Sequence, residues 1–203
     1  MALPMVHLLA ARKWVRAHEE FNTDEFYLGV ISPDAIHIRD GDDKSRKNEI
    51  HLNNWGSIDQ ESVVEYWRKH HTAFDIGYGI HVLTDGQWVP RFRARLKGML
   101  LPDGRLNTDV YYNDAVQTDI DLFRQEGIGE RLFEQIKRAV PPENHPLLTG
   151  SEIGQWPGFT LKLYYEDHSK LLPARFVTME YVLDFIDDCQ KLLEHVYGRY
   201  CNE

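Results

Sequence analysis

Residues 74–92 of the chain read FDIGYGIHVLTDGQWVPRF and are predicted to form a helix in the protein interior. Between Ile76 and Pro90 the only formal charge is that of Asp85, and apolar side chains occupy both stripes that a helical projection gives. A helix that is apolar nearly all round packs inside a protein rather than on its surface. We therefore expect the other helices of the chain to be arranged around this one.

His81 and Asp85 lie four residues apart in this helix, so their side chains project from one face, one turn apart. An ionised carboxylate in an apolar helix is costly unless a hydrogen-bonded cation or a metal ion compensates its charge. A simple hydrogen bond between the two side chains in the core is the alternative, and it is the more common arrangement for an isolated pair. The residues that precede the helix therefore decide between the two interpretations.

The composition of the 203-residue chain, with 42% hydrophobic and 12% aromatic residues, predicts a single domain over residues 1–203. Its net charge of -9 argues against a broad basic face, so we expect no binding to a nucleic-acid duplex. Cys189 and Cys201 do not form a disulfide framework. No run approaches the roughly 18 apolar residues of a transmembrane segment, and no signal-peptide pattern is present, which predicts a cytoplasmic protein. The oligomeric state has no signature in the sequence.

Helical periodicity dominates the sequence, whereas alternating strand patterns are scarce and there are no internal repeats. An apolar run at 26–36 is broken by Ser32-Pro33-Asp34, and 39–49 is a charged stretch that is usually a solvated loop. The fold class is therefore predicted to be all-α. Helices are expected at 5–21, 59–72, 74–90, 109–125, 127–140 and 178–200, with a short helix at 151–155 that a Trp-Pro-Gly turn separates from 161–165.

Six histidine and aspartate residues of the first half lie in apolar surroundings: His7, Asp34, His37, His51, His81 and Asp85. Imidazole and carboxylate ligands without thiolate suit zinc, and also manganese or iron. Because one metal needs three or four protein ligands, six candidates are enough for one ion, or for two that share ligands. Taken singly, His7 is equally well interpreted as a half-exposed helix residue, and Asp34 as the N-cap of a short helix that carries His37.

The residues LGVISPD at 28–34, followed by His51 and by GYGIHVLTD at 77–85, resemble the zinc-dependent phospholipase C family, which is related to fungal single-strand nucleases. The resemblance covers roughly residues 5–90. It implies a compact all-α domain in which His7, Asp34, His51, His81 and Asp85 hold zinc. It also implies that a metal-activated water attacks a phosphoester, with Asp34 orienting or deprotonating that water.

The sequence departs from the family in two ways. Secreted members begin with a tryptophan whose amine binds zinc, whereas the first residue here is Met1. They also place two further histidines and a glutamate after the helix pair, but no histidine occurs here between His81 and His145. We therefore expect one metal, or two with Asp85 bridging, and consider Asp119 as a replacement ligand, although the carboxylates at 114, 119 and 121 are mostly typical of a solvated face.

The predicted function is hydrolysis of a small phosphoester by a His/Asp-bound divalent metal, zinc before manganese or iron, in one or two copies. His37 and Asp119 are candidates for additional or supporting ligands, and Arg39 for binding phosphate, with Lys47 and Arg91 as further candidates. One alternative is a His-Asp-type phosphohydrolase, although its adjacent His-Asp pair is absent. The other is a non-catalytic helical module whose His/Asp cluster is structural.

Overall fold

The structure, a computed structural model, describes residues 2–41, 43, 45–54, 57–95 and 97–202. Within these ranges every regular element is a helix and no strand is found, which confirms the predicted all-α class. Four short 3-10 turns lie between the helices, at Glu19–Phe21, Ser32–Ala35, Lys97–Met99 and Gln125–Gly127. The α-helices are α1 (Pro4–Val15), α2 (Asp24–Ile31), α3 (Ile36–Asp40), α4 (Lys47–Ile50), α5 (Gln60–Lys69), α6 (Ala73–Arg95), α7 (Thr108–Arg124), α8 (Ile128–Arg138), α9 (Gly150–Tyr165) and α10 (Met179–Asn202).

Helix α6 lies at the centre of the molecule, as its apolar sequence predicts. Every residue from Phe74 to Gly86 is buried, so no face of this part of the helix meets solvent. Helices α1, α2, α5 and α10 all contact it. Neither α6 nor any other described helix combines the length and apolarity that crossing a membrane requires.

Glycines allow α2 and α6 to approach until their backbones touch. A Cβ atom on Gly29 of α2 would lie 2.0 Å from the carbonyl oxygen of Phe74, and one on Gly77 of α6 would lie 2.2 Å from that of Phe26. Cβ atoms are not found closer than about 3 Å to other heavy atoms, so only glycine fits at either position. Gly29 and Gly77 thus set the distance between the two helices.

Two buried carboxylates hold the second half of the chain together. Asp114 of α7 accepts hydrogen bonds from the backbone N–H groups of Arg175 and Phe176, at 2.9 Å and 2.7 Å, and so fixes the loop before α10. Asp119, one turn further along α7, is also buried, whereas Asp121 is exposed. The expectation of a mostly solvated acidic face therefore holds only for Asp121.

Helix α9 corrects the prediction of a turn at Trp-Pro-Gly. It runs without interruption through Pro157, although a proline inside a helix costs about 3 kcal/mol. A capping box between Thr149 and Glu152 fixes its start. Burial of one face, formed by Ile153, Trp156, Thr160 and Tyr164, outweighs the hydrogen bond that Pro157 removes.

Two other helix ends differ from the prediction. Helix α1 ends at Val15 rather than near Phe21, because His18 leaves the helical region and stacks on Trp14 with ring centroids 3.9 Å apart. Helix α6 continues past Pro90 to Arg95, since a proline removes only one hydrogen bond of an otherwise intact helix.

Substituting Gly77 tests the contact between α2 and α6. Gly77→Ala should lower the free energy of unfolding by about 2 kcal/mol or more, because the new methyl group meets the rigid backbone of α2. Gly198→Ala is the control, since a Cβ atom there has no neighbour within 4 Å. It should stabilise α10 by up to about 1 kcal/mol, the helix-propensity difference between glycine and alanine. Urea unfolding of both variants measures the two effects, and equal stabilities would contradict the close contact.

Candidate metal centre

Five side chains from four segments meet in the interior beside α6. His7 comes from the start of α1, Asp34 from the 3-10 turn after α2, and His51 from the residue after α4, while His81 and Asp85 come from α6. None of the five is more than 5% exposed. The fold thus brings together all five residues that the sequence predicts as principal metal ligands.

Each histidine Nε2 atom faces a carboxylate oxygen at a distance too long for a hydrogen bond. His7 Nε2 lies 3.7 Å from Asp85 Oδ1. His51 Nε2 lies 3.7 Å from oxygens of both Asp34 and Asp85, and His81 Nε2 lies 3.9 Å from Asp34 Oδ2. Ligand atoms about 2.1 Å from a tetrahedral zinc ion are separated by about 3.4 Å, so these spacings are close to those of atoms that share one ion.

Two overlapping triads satisfy the geometry of a metal site most closely. In each triad one donor atom from every residue lies within 4.8 Å of the other two. The first triad contains His7, Asp34 and His81, and the second contains His51, His81 and Asp85. His81 belongs to both, so it occupies the middle of the cluster.

Backbone carbonyls fix the orientation of two of the histidine rings. His81 Nδ1 lies 2.7 Å from the carbonyl oxygen of Val30, and His51 Nδ1 lies 2.9 Å from that of Lys47. A carbonyl oxygen only accepts hydrogen bonds, so Nδ1 carries the proton and donates it. Nε2 of the neutral ring then has a free lone pair, which is the form of histidine that binds a metal.

Pro33 explains why the carbonyl of Val30 is available to His81. Residues 32–35 form a 3-10 turn, in which each carbonyl accepts from the N–H group three residues later. Proline has no N–H group, so the partner that position 33 would offer to Val30 is missing. His81 Nδ1 supplies the hydrogen bond instead.

Acceptor atoms therefore face one another across the centre of the cluster. Within the described part of the chain, Nε2 of His7, His51 and His81 and Oδ2 of Asp85 are buried without a hydrogen-bond partner. A buried polar atom without a partner costs about 1–3 kcal/mol, and more when it is charged. The lone pairs of His51 and His81 thus face two carboxylates, and both ring nitrogens of His7 lack a partner among the described residues; such an arrangement favours a cation between these groups.

The electrostatics of the cluster favour neutral imidazoles and ionised carboxylates. Burial lowers the pKa of His7 to about 3, with a further contribution from the neighbouring His81. Burial likewise lowers the pKa of His51 to about 4, against the opposing effect of the aspartates. Burial alone would raise the pKa of Asp85, but the amino-terminal charge of the chain, and after it the neighbouring histidines, lower it to about 2. At neutral pH His7 and His51 are thus neutral and Asp85 is ionised, as binding of a metal requires.

Lys47 adds a fixed positive charge at one edge of the cluster. Its ammonium group is 2% exposed and donates to Asp34 Oδ1 at 2.9 Å. Burial would raise the pKa of Asp34, but the charge of Lys47 overrides it and holds this pKa well below its usual range. Lys47 thus compensates the charge of Asp34, whereas no lysine or arginine side chain bonds to Asp85 among the described residues.

A cavity of about 520 Å³ opens beside Asp34. The first residues of α1 and one side of α9 form its walls, with Trp156 and Phe159 stacked at 5.4 Å between ring centroids. Phe159 is 51% exposed, and the Thr160 hydroxyl in the wall is buried without a partner among the described residues. Of the five clustered residues, only Asp34 is among those that line the cavity.

The structure places the three remaining candidates around the cluster rather than within the two triads. His37 lines the same cavity, and its Nε2 atom lies 3.3 Å from the Lys47 ammonium. Arg39 makes a two-pronged ion pair with Glu152, at 2.5 Å and 2.7 Å, and lines a different cavity.

Asp119 accepts from the N–H group of Met5 at 3.0 Å and from the Tyr164 hydroxyl at 2.7 Å. Both oxygens of Asp119 are thus engaged in holding α1 and α9.

The burial of Lys47 is the feature that the sequence indicated least clearly. The charges of 39–49 predict a solvated loop, which contains Arg39 and Lys47 as candidates for binding phosphate. Lys47 begins α4 and its side chain enters the interior. The carbonyls that orient His51 and His81 belong to the backbone, so no side-chain pattern in the sequence could reveal them.

The metal-free protein should lose stability as the pH falls from 7 towards 4. His7 and His51 take up protons on unfolding, because their pKa values are near 6.5 in the unfolded chain but about 3 and about 4 in the folded protein. Stability therefore rises with pH in this window, by up to about 1.4 kcal/mol per pH unit for each histidine. The aspartates act in the same direction below pH 4, since their lowered pKa values favour folding only while they are ionised. Urea unfolding at several pH values measures the slope; His7→Gln should flatten it, and an unchanged slope would contradict the neutral buried imidazole.

Comparison of the chain with protein-family models, with curated proteins and with solved structures finds no match. The resemblance to zinc-dependent phospholipases thus stays a hypothesis that rests on the residues alone. Any functional conclusion has to come from the chemistry of the cluster and the cavity beside it.

Proposed function

We propose that the protein is a metal-dependent hydrolase of small phosphoesters, in which His7, Asp34, His51, His81 and Asp85 hold a divalent ion. The observation that supports this proposal is the convergence of three imidazole Nε2 atoms on two carboxylates at distances too long for hydrogen bonds. A simple hydrogen-bonded core, the alternative for an isolated His81–Asp85 pair, would place a proton on one atom of each contact. Contacts of 3.7–3.9 Å are too long for that arrangement.

The ligand set favours zinc, with manganese or iron as alternatives, because it contains imidazole nitrogen and carboxylate oxygen but no thiolate. The buried charges favour one ion rather than two. Lys47 already compensates one of the two carboxylates, so a single divalent ion leaves a small positive excess, whereas a second would leave three uncompensated positive charges in the interior. In this proposal Lys47 takes the place of a second metal.

The cavity favours a catalytic rather than a structural role for the ion. Structural zinc sites are closed by four protein ligands, whereas catalytic sites keep a position open to water or substrate. Here the cluster reaches the cavity through Asp34. A volume of about 520 Å³ lies within the usual range for small-molecule sites, and the aromatic wall of Trp156 and Phe159 offers an apolar surface to the leaving group.

A divalent ion bound to these residues would lower the pKa of a coordinated water towards 7 and polarise a phosphoryl oxygen. Asp34 is ionised and lies at the mouth of the cavity, so it is placed to orient the attacking water and accept its proton. Lys47, held by Asp34, provides positive charge for the phosphoryl oxygens. Arg39 is less suited to that task, since its Nε and Nη2 atoms already donate to Glu152.

Elemental analysis of the purified protein tests the metal site directly. The wild-type protein should retain about one equivalent of zinc, manganese or iron, and Asp85→Asn should lose it because the amide keeps the shape of the side chain but removes its charge. Asp119→Asn is the matched control, because it neutralises a buried aspartate that bonds to Met5 and Tyr164. This variant should retain the ion. The proposal is contradicted if the wild-type protein binds no metal after incubation with each ion. It is also contradicted if the Asp85→Asn variant keeps its full metal content.

Lys47→Met separates phosphate binding from metal binding. The variant should keep its metal but hydrolyse phosphoesters about 100-fold more slowly, the usual effect of removing one group that stabilises transition-state charge. Arg39→Met serves as the comparison, because it removes a cation paired outside the cluster, and should leave kcat within about twofold once the protein is folded. Steady-state kinetics on a panel of phosphomonoesters and phosphodiesters measure both effects. Equal loss of activity in the two variants would contradict the role of Lys47.

The non-catalytic alternative is distinguished by stability. A purely structural ion is needed for folding, so chelation should then unfold the protein. In the proposed enzyme, contacts outside the cluster, such as the backbone contact of α2 with α6, also hold the fold together. We therefore expect the chelated protein to stay folded, with a lower melting temperature and no hydrolytic activity, which circular dichroism and the phosphoester assay together detect.

A further inference from the structure

A second cavity, of about 660 Å³, lies between the end of α1 and one face of α8. Arginines from both elements line it: Arg12 and Arg16 from the end of α1, and Arg131 from α8. No residue lines both this cavity and the one beside Asp34. The arginine cavity is thus separate from the proposed metal centre.

The three arginines are unusual in this protein because no carboxylate pairs with them in the described part of the chain. Acidic residues outnumber basic ones, 32 to 23, so an arginine has many potential partners. Most of the other described arginines do pair with a carboxylate: Arg39 with Glu152, Arg46 with Glu49, Arg68 and Arg199 with Glu61, Arg91 with Asp188, Arg105 with Asp103 and Arg138 with Asp24. Among the described residues, the guanidinium groups of the cavity arginines make one hydrogen bond, from Arg131 Nη1 to the carbonyl oxygen of Glu126 at 2.8 Å.

The positions of these arginines are not explained by helix stability. Arg12 and Arg16 are four residues apart on the same side of the helix, where like charges repel. A helix C-terminus does favour basic residues, which accounts in part for this pair. Arg131, however, is in the first turn of α8, where the helix dipole disfavours a cation. Its bond to the Glu126 carbonyl holds the turn before α8, so the grouping of the three arginines, rather than the position of any one of them, points to a ligand.

The remaining walls define the kind of ligand. Val15, Ile128 and Leu132 provide apolar surface, and Tyr27 contributes a hydroxyl group that donates to Asn22 at 3.3 Å. Arg12 is close enough to Tyr27 to oppose the rise in its pKa that burial causes. A single carboxylate, that of Glu19, lines the cavity against the three guanidinium groups, so the cavity has an excess of positive charge.

We infer that this cavity binds a small organic phosphate, with the arginines on the phosphate and the apolar wall on its carbon skeleton. The planar fork of a guanidinium group matches the oxygens of a phosphate, and several such groups compensate more than one negative charge. The site is independent of the metal centre, since none of its residues belongs to the His/Asp cluster. Ligand binding there does not require the proposed hydrolysis.

Calorimetric titration of the full chain with inorganic pyrophosphate tests the site. The protein is first freed of metal by chelation and dialysis, so that the anion cannot bind to an ion at the His/Asp cluster. The wild-type protein at about 0.1 M salt should bind one equivalent saturably. Arg12→Ala and Arg131→Ala should each weaken binding about tenfold or more, the effect of losing one charged hydrogen bond.

Arg175→Ala is the matched control, because Arg175 is exposed and its guanidinium rests on Phe176 rather than on a carboxylate. It removes the same charge from another part of the surface and should change the affinity by less than about twofold. Absence of saturable binding overturns the inference, and so does equal weakening by Arg175→Ala, which would mean non-specific attraction.

Glycerol phosphate tests the apolar wall: it should bind more tightly than inorganic phosphate, and weaker binding contradicts a carbon skeleton in the cavity. Neither result bears on the metal content that tests the proposed hydrolase.

Discussion

The direct contact between the backbones of α2 and α6 is the constraint on which the cluster depends. Gly29 and Gly77 remove the two side-chain atoms that would hold these helices apart. The close approach places the carbonyl of Val30 within 2.7 Å of His81 Nδ1, and this hydrogen bond turns Nε2 towards Asp34. A larger residue at either glycine would therefore change the orientation of the central histidine as well as the packing of the core.

The cluster combines strong local polarity with an apolar surrounding. Two ionised carboxylates in a protein interior are tolerated only when positive charge lies beside them. Lys47 supplies part of that charge to Asp34 through a direct bond, whereas Asp85 has one oxygen occupied by the N–H group of Ala2 at 2.8 Å and the other without a partner. Because of this uneven compensation, the acceptor atoms without a partner among the described residues lie at Asp85 and the imidazoles rather than at Asp34. The Lys47 ammonium bonds instead to Asp34, the cluster residue that lines the cavity.

The sequence predicted much of this arrangement because the signals involved are local. The apolar circumference of residues 74–86 identified α6 as interior, and the four-residue spacing of His81 and Asp85 placed both on one face. His7, Asp34 and His51 were predicted to join His81 and Asp85 because their neighbours in the sequence are apolar and because of the family resemblance. Features that depend on distant segments were missed: the ion pair of Arg39 with Glu152 joins residues 113 positions apart, and Asp119 meets Met5 across 114.

The prediction of a break is confirmed at Pro33 but wrong at Pro90 and Pro157, and the difference lies in what surrounds each residue. At Pro33 the apolar run changes to a 3-10 turn, as expected, and the freed carbonyl of Val30 serves His81. At Pro90 and Pro157 the helix continues. In α9 the buried face on both sides of Pro157 holds the helix together, whereas after Pro33 the chain has to turn so that Asp34 reaches the cluster. A proline therefore ends a helix where tertiary contacts favour a change of direction, and a site that uses the released carbonyl gives such a contact.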